Sequence, residues 1–252
     1  MWHTENDAFE EGQWFHGRIY EQQSDLSPDG SLFLYRARKN ETPEREASAT
    51  TYKWTAISRP PYYTALALWP LGDDWGGGGM FLDNRTVWIC HQSDHLKQWR
   101  HKKLTIHASF RPGRFSEKRI RDGWHLVQKG LFSFERIPYG RGLPVKGVTQ
   151  QPTIWYKQHP VRRYRLIQEY YREPNFSFEA LTYLVNEETN EEHLIEGTTW
   201  IDWDHRGRLV FARAGKLFAS TDPAIPLQTQ MIADFNANTP TSVIAPAWAR
   251  QW

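Results

Sequence analysis

The stretch TTWIDWDHRGRLVFARAGKLFAS, residues 198–220, decides the fold class, because its three short apolar runs are separated by two tight turns. The second turn contains Ala214-Gly215, and glycine supplies the positive φ that hairpin turns need. Similar runs recur along the chain, including SLFLYRA, TALALW, RTVWI, TIWYK and EALTYLV. Their alternation of apolar and polar residues predicts strands, so we expect an all-β fold.

An internal repeat predicts which all-β fold this is. DLSPDGSLFLYRARK, residues 25–39, and DWDHRGRLVFARAGK, residues 202–216, are identical at 6 of 15 positions, where ordinary composition gives about one. The copies start 177 residues apart, which holds four periods of the roughly 44 residues typical of a propeller blade. Turn glycines follow this spacing at Gly30, Gly77, Gly123 and Gly207, and one copy near residues 161–163 lacks its glycine. We therefore predict a β-propeller of five blades of about 44 residues.

A third copy supports the same interpretation. Residues 64–90 repeat the order inner strand, long turn, middle strand, Asp-Asn turn and third strand. The segment LSPDGSLFLY resembles the repeats of TolB-like and WD40-type β-propellers, in which a Ser-Pro-Asp-Gly turn joins the first two strands of a blade. Trp203-Asp204 lies on a first strand rather than a third, unlike the WD40 pattern, so the resemblance implies architecture only. We expect one propeller domain over residues 1–252, with 221–252 as a wrapping tail in which QMIADF supplies a closing strand.

Composition narrows the function classes. Lys plus Arg number 31 against 29 Asp plus Glu, a formal charge of +2, so no overall field directs the chain to nucleic acid. The single cysteine, Cys90, rules out an internal disulfide, and the first residues lack the pattern of a signal peptide. No apolar run reaches the roughly 18 residues of a membrane span. We expect a cytoplasmic protein without membrane contact.

Aromatic residues make up 15% of the chain, which is unusually high. Rings pack well across strands, so most of them are expected in the core of the sheets. The alternative is that some stack on sugars or bases.

Paired carboxylates are the first candidate for catalysis. Asp202 and Asp204 alternate along one strand, and Asp73 and Asp74 share a turn. Glycosidases need two carboxylates about 5 to 9 Å apart, so a five-bladed carbohydrate-active enzyme or lectin is the main alternative function. Aspartate recurs at equivalent repeat positions, 25 and 202, which favours capping of backbone N–H groups. No catalytic residue is therefore predicted, and an enzyme is the less favoured interpretation.

Metal and cofactor sites have little support. Cys90, His91, Asp94 and His95 match no standard zinc spacing. The glycines at 76–79 are not followed by the Lys-Ser/Thr of a phosphate-binding loop. We predict neither a metal nor a cofactor.

A basic segment with interleaved aromatic residues extends over residues 97–122. Such composition suits a nucleic-acid backbone, which gives a weaker alternative function. The competing interpretation is an outer blade edge protected by lysine against pairing. The candidate residues are Lys97, Arg100, Lys102, Lys103, Arg111, Arg114, Arg119 and Arg121.

The leading hypothesis is a non-catalytic binding or scaffold module that engages a protein partner. In a propeller, the loops entering the inner strands and those joining second to third strands lie at one end of the channel. Arginine and tyrosine are typical of binding hot spots. Arg36 and Arg213 occupy equivalent repeat positions, so they could instead brace adjacent blades. The residues predicted at this end are Arg36, Arg59, Tyr62, Tyr63 and Arg213.

Overall fold

The computed structural model describes residues 1–39, 52–71, 76–91, 101–111, 114–135, 146–171 and 180–252. The all-β prediction is confirmed, with 44% strand and 8% helix. The chain separates into two compact units. Unit 1 comprises Met1–His3, Ala8–Lys118 and Thr239–Trp252, and unit 2 comprises Thr4–Asp7 and Arg119–Asn238.

Unit 1 contains a first sheet of five strands and a short hairpin. The hairpin pairs β1 (Trp2–His3) with β2 (Ala8–Phe9). The sheet strands are β3 (Gly17–Ile19), β4 (Asp25–Leu26), β5 (Phe33–Lys39), β6 (Lys53–Ser58) and β7 (Ala67–Pro70). Their order is β3-β5-β6-β7, β4 also pairs with β5, and a 3-10 turn at Glu21–Gln23 precedes β4.

The second sheet of unit 1 is smaller and mixed. It contains β8 (Gly79–Phe81), β9 (Thr86–Ile89) and β10 (Thr105–Ala108). The pair β8 and β9 is antiparallel, whereas β10 runs parallel to β9. Leu34 of β5 packs in one cluster with apolar residues of β8 and β9, while Tyr35 packs on the other face with Trp54. Both faces of β5 are therefore buried.

A single α-helix, α1 (Phe115–Arg121), is found among the described residues, and the boundary between the units falls within it. Unit 2 then contains a five-stranded antiparallel sheet in the order β11-β14-β15-β16-β17 and a hairpin of β12 with β13. These strands are β11 (Trp124–Gln128), β12 (Leu131–Glu135), β13 (Lys146–Gln151), β14 (Thr153–Gln158), β15 (Tyr164–Tyr170), β16 (Ala180–Asn186) and β17 (Glu191–Leu194).

The last sheet of unit 2 is a four-stranded antiparallel meander. Its strands are β18 (Trp200–Trp203), β19 (Leu209–Arg213), β20 (Lys216–Ser220) and β21 (Thr229–Asp234). The first three are the strands predicted from residues 198–220. The fourth includes most of QMIADF, so this segment does supply a strand, and it pairs with β20. Trp124, Trp155 and Trp203 lie in the core of unit 2, as expected for most of the aromatic residues.

The described residues form a propeller-like set of small, mainly antiparallel sheets, and four blades are found among them where the repeat predicted five. Strand pairing gives the physical reason. The segment after Gly123 forms β11, which pairs with β14, and the turn at residues 161–163 joins β14 to β15. The predicted third and fourth blades are therefore one sheet.

A second correction concerns residues 64–90. Their predicted inner strand is β7, which pairs with β6 as the last strand of the preceding sheet. Among the described residues of this copy, the hairpin of β8 and β9 around Asp83-Asn84 keeps its predicted place. The residue pattern of an apolar strand is the same whether the strand begins one blade or ends the preceding blade, so sequence alone does not distinguish the two positions.

The two best-matched repeat copies do form equivalent hairpins. Gly30 and Gly207 both adopt positive φ, at 69° and 75°. Asp25 pairs with Leu34, whereas Asp202 pairs with Val210, so the registers differ by one residue. The repeat thus preserves the hairpin while the length of its turn changes.

Candidate interaction surface

The turn after β6 positions two of the predicted binding residues. The Tyr62 amide donates to the Arg59 carbonyl over 2.9 Å, closing a turn that contains Pro60 and Pro61. Arg59 Nε donates to the Gln251 carbonyl over 3.2 Å. The Tyr62 ring meets the Trp248 ring edge-on, with centroids 5.7 Å apart. Arg59 and Tyr62 therefore lie against residues 248–251 within unit 1.

Residues 244–250 present large apolar side chains to solvent because small residues anchor them. Ala245 and Ala249 are buried, and the Ala249 amide donates to the Pro246 carbonyl in the 3-10 turn Ala247–Arg250. Trp248 is 56% exposed and Ile244 is 82% exposed. We name Arg59, Tyr62, Ile244 and Trp248 the aromatic surface.

Gln13 fixes the base of the aromatic surface. Its side-chain oxygen accepts hydrogen bonds from the Tyr63 and Thr64 amides at 2.8 and 3.0 Å, and its side-chain nitrogen donates to the Val243 carbonyl at 3.1 Å. Sequence reasoning missed this residue, since a single glutamine carries no motif. One amide side chain thereby joins the turn after β6 to residues before Ile244.

Residue Trp252 extends this region towards β10. Its indole Nε1 donates to the Leu66 carbonyl over 3.0 Å, and its ring lies 4.2 Å from the His101 ring, centroid to centroid. Burial and the nearby Lys103 lower the pKa of His101, so the imidazole is neutral at pH 7. The exposed Lys102 and Lys103 follow directly.

The other predicted binding residues do not join the aromatic surface. Arg36 is 6% exposed, donates to the Gln23 side-chain oxygen at 2.6 Å, and stacks over the Tyr20 ring at 4.5 Å. Tyr63 packs its ring against the Tyr35 ring, with centroids 5.5 Å apart. Burial raises the pKa of Tyr63. Both side chains stabilise the interior of unit 1.

Arg213 belongs to unit 2 and is exposed. Its guanidinium lies 5.2 Å from both the Phe211 and Phe218 ring centroids, and those rings stack on each other. It also donates to the Glu196 carbonyl at 3.4 Å. The two repeat-equivalent arginines therefore differ in burial.

The predicted residues of the basic segment differ in exposure and in pairing. Lys97 and Arg100 lie outside the described residues. Lys102, Lys103 and Arg111 are exposed, whereas Arg114 pairs with Glu117 at 2.7 Å and Arg121 pairs with Asp122 at 2.8 Å.

Arg119 is held inside unit 2 by aromatic rings. Its guanidinium lies 4.4 to 5.1 Å from the ring centroids of Trp124, Trp155 and Tyr170. It donates to the Tyr170 hydroxyl at 2.5 Å and to the Gln168 side-chain oxygen at 2.6 Å. Such cation–π contacts are stronger where water is excluded. Arg119 therefore stabilises the packing of these rings within unit 2.

The carboxylates considered for catalysis are engaged in structural contacts. Asp202 pairs with Lys157 at 2.6 Å; burial raises the pKa of Asp202, and the lysine partly offsets this effect. Asp204 accepts from Arg208 Nε at 2.8 Å, and the same guanidinium makes two 2.8 Å bonds to Asp7. Asp73 and Asp74 lie outside the described residues.

Across the part of the chain that the structure describes, no helix is long and apolar enough to cross a membrane. Within the same residues, no group of three or more His, Cys, Asp or Glu side chains is arranged to hold a metal ion. The chain matches no protein-family model, no curated protein and no solved structure.

Proposed function

We propose that this protein is a non-catalytic binding or scaffold module that engages a protein partner through the aromatic surface. The exposure of Trp248 carries the proposal. The buried side chains of Ala245 and Ala249 fix the backbone on either side of Trp248, so the fold holds this large ring in contact with water. Trp, Tyr and Arg are the residues most enriched in binding hot spots. The aromatic surface supplies one of each in Trp248, Tyr62 and Arg59.

Two sequence features agree with this function. The resemblance of LSPDGSLFLY to TolB-like and WD40-type repeats supports a blade fold that displays loops for recognition. A chain whose single cysteine, Cys90, is buried needs no oxidising compartment, which suits a cytoplasmic module. We place the protein there as part of the proposal.

The experiment compares partners recovered from native lysate by the wild-type chain and by Trp248→Ala. A hot-spot residue contributes about 2 kcal/mol or more, so we expect recovery of specific partners to fall by roughly thirty-fold. The matched control is Trp200→Ala, which removes a tryptophan that is 46% exposed on unit 2. That variant should recover the wild-type set. Identical sets from all three proteins would exclude the aromatic surface as the binding site.

A further inference from the structure

The outer edge of β10 carries backbone groups that are not used by its own sheet. The Thr105 amide donates to the Arg85 carbonyl at 2.9 Å and the Ser109 amide donates to the Ile89 carbonyl at 3.2 Å. In a parallel pair, alternate residues face the partner strand, so Thr105, His107 and Ser109 face β9. Ile106 and Ala108 therefore direct their N–H and C=O groups away from it. In the described part of the chain, β10 pairs only with β9.

The strand itself lacks three of the usual protections of an edge, namely lysine, proline and a bulge. Natural edge strands carry lysine, proline or a bulge that blocks pairing with another chain. None of the four residues Thr105–Ala108 is lysine or proline, and the register with β9 is continuous. The two lysines of the segment precede the strand, at 102 and 103. The interpretation of an edge protected by lysine therefore depends on residues that flank the strand.

Burial holds β10 in a fixed position. Leu104 is buried and Ile106 packs against the cluster that contains Phe81 and Val87. The Trp88 indole donates to the Ser109 hydroxyl at 2.8 Å. An edge held in place at both ends of the strand is already ordered for pairing, so less conformational entropy is lost on binding.

The charged side chains in the segment that contains this edge are all basic. Residues 101–111 contain no aspartate or glutamate, and the side chains of Lys102, Lys103 and Arg111 are exposed. His107 is also exposed on the strand. An incoming strand would meet lysines at one end and an arginine at the other. An acidic segment complements this arrangement.

We propose that an extended, acidic segment of the protein partner adds to the β10 edge as a further strand. Main-chain bonds to Ile106 and Ala108 would give affinity, and the basic side chains would select acidic sequences. Trp252 contacts His101, so the edge is continuous with the aromatic surface through residues 251 and 252. This inference rests on the proposed function, since it names what a partner presents.

The test uses a labelled eight-residue peptide that alternates glutamate with valine, and a control peptide with lysine in place of glutamate. Binding is measured by fluorescence anisotropy to wild type, Ala108→Pro and Ala108→Val. Proline removes the outward N–H but not the Ser109 bond to β9, and proline is tolerated at such edge positions. We expect binding of the acidic peptide to weaken at least tenfold in Ala108→Pro, to persist in Ala108→Val, and to be absent for the lysine peptide.

A second variant, Lys102→Glu with Lys103→Glu, tests strand addition at β10 if Ala108→Pro does not fold. It should lose the acidic peptide while the thermal midpoint stays at the wild-type value. Hydrogen exchange should also slow at the Ile106 and Ala108 amides when the peptide binds. No binding to wild type, or equal binding to all variants, would overturn the proposal. Self-association that Ala108→Pro abolishes, without peptide binding, would assign the edge to a second copy instead.

Binding through the aromatic surface and strand addition at β10 can be tested independently of each other. Trp248→Ala should leave peptide binding at β10 unchanged, because Trp248 contacts Tyr62 rather than β10. Partner loss in Trp248→Ala together with no peptide binding would retain the aromatic surface and reject the edge.

Discussion

Asp202 is a half-buried carboxylate whose ion pair makes the stability of unit 2 depend on pH. It lies on β18 and its partner Lys157 lies on β14, so the 2.6 Å pair joins the two larger sheets of unit 2. Burial raises the pKa of Asp202 above the ordinary 3.8, while the lysine opposes that change. Because the pKa of Asp202 is higher in the folded than in the unfolded chain, its stabilising contribution to folding is fully present below pH 3.8. This contribution is lost as the pH rises through the pKa of Asp202 in the folded chain.

Replacing Lys157 with methionine tests this linkage. The variant leaves Asp202 without its counter-charge, so its pKa rises further and the loss of stability extends to higher pH. We expect the free energy of unfolding to fall by about 2 kcal/mol at pH 7 and to recover partly towards pH 5. Urea unfolding across that range measures it.

The control for this prediction adds Asp202→Asn to Lys157→Met, which removes the ionisable group. The double variant should regain stability at pH 7 and lose the pH dependence. A single variant whose stability does not change between pH 5 and pH 7 would contradict the assignment.

At the level of elements, the two repeat hairpins provide a matched pair of turns. Gly30 and Gly207 both need positive φ, which alanine adopts at a cost of about 1 kcal/mol. A Cβ at Gly30 would meet no atom within 4 Å, whereas one at Gly207 would lie 3.2 Å from the His159 ring. His159 also hydrogen-bonds the Gly207 carbonyl at 2.9 Å.

We therefore expect Gly207→Ala to destabilise the protein more than Gly30→Ala does. The Gly30 change should cost about 1 kcal/mol from backbone strain alone. The Gly207 change should cost about twice as much, because the His159 ring must also move. Thermal or urea unfolding of the two variants gives the comparison, and equal losses would show that His159 moves without cost.

These hairpins also show what could be predicted from sequence. The strands of residues 198–220 were predictable because alternation and turn residues are local properties. The pairing of β11 with β14 was not, since it joins residues about 30 positions apart and no residue of either strand encodes its neighbour. The blade count was wrong for this reason.

The same limit applies to the candidate site. Arg59 and Tyr62 were predicted because they lie in a loop expected to enter an inner strand, and because arginine and tyrosine are typical of binding hot spots. Trp248 did not, because its exposure depends on the burial of Ala245 and Ala249, which only packing reveals. The repeat predicted the same role for Arg36 and Arg213. In the structure, Tyr20 and Gln23 contact Arg36 inside unit 1.

At the scale of the whole chain, neither unit is one continuous segment. Thr4–Asp7 belongs to unit 2, where Asp7 binds Arg208, and Thr239–Trp252 belongs to unit 1. Within unit 1, residues 239–252 provide the Val243 carbonyl to Gln13 and the Trp252 indole to Leu66.

A chain ended after Asn238 should therefore lose stability in unit 1 specifically. We expect backbone amides of β6 and β7 to exchange at least about tenfold faster, corresponding to about 1.4 kcal/mol, while amides of β19 and β20 keep their wild-type rates. Hydrogen exchange measures both sets in one sample. Adding the peptide 239–252 should restore slow exchange in β6 and β7, and uniform acceleration in both units would contradict the division.

The membership of Thr239–Trp252 also sets an order for synthesis on the ribosome. Roughly 120 residues separate Lys118 from Thr239, and translation at about 5–20 residues per second needs on the order of ten seconds to produce them. During that interval Gln13 and Leu66 are already outside the ribosome without the groups they will bond. Unit 1 contains both Met1–His3 and Thr239–Trp252, so its last segment is synthesised after the residues of unit 2. Unit 1 therefore stays incomplete until residues 239–252 emerge from the ribosome.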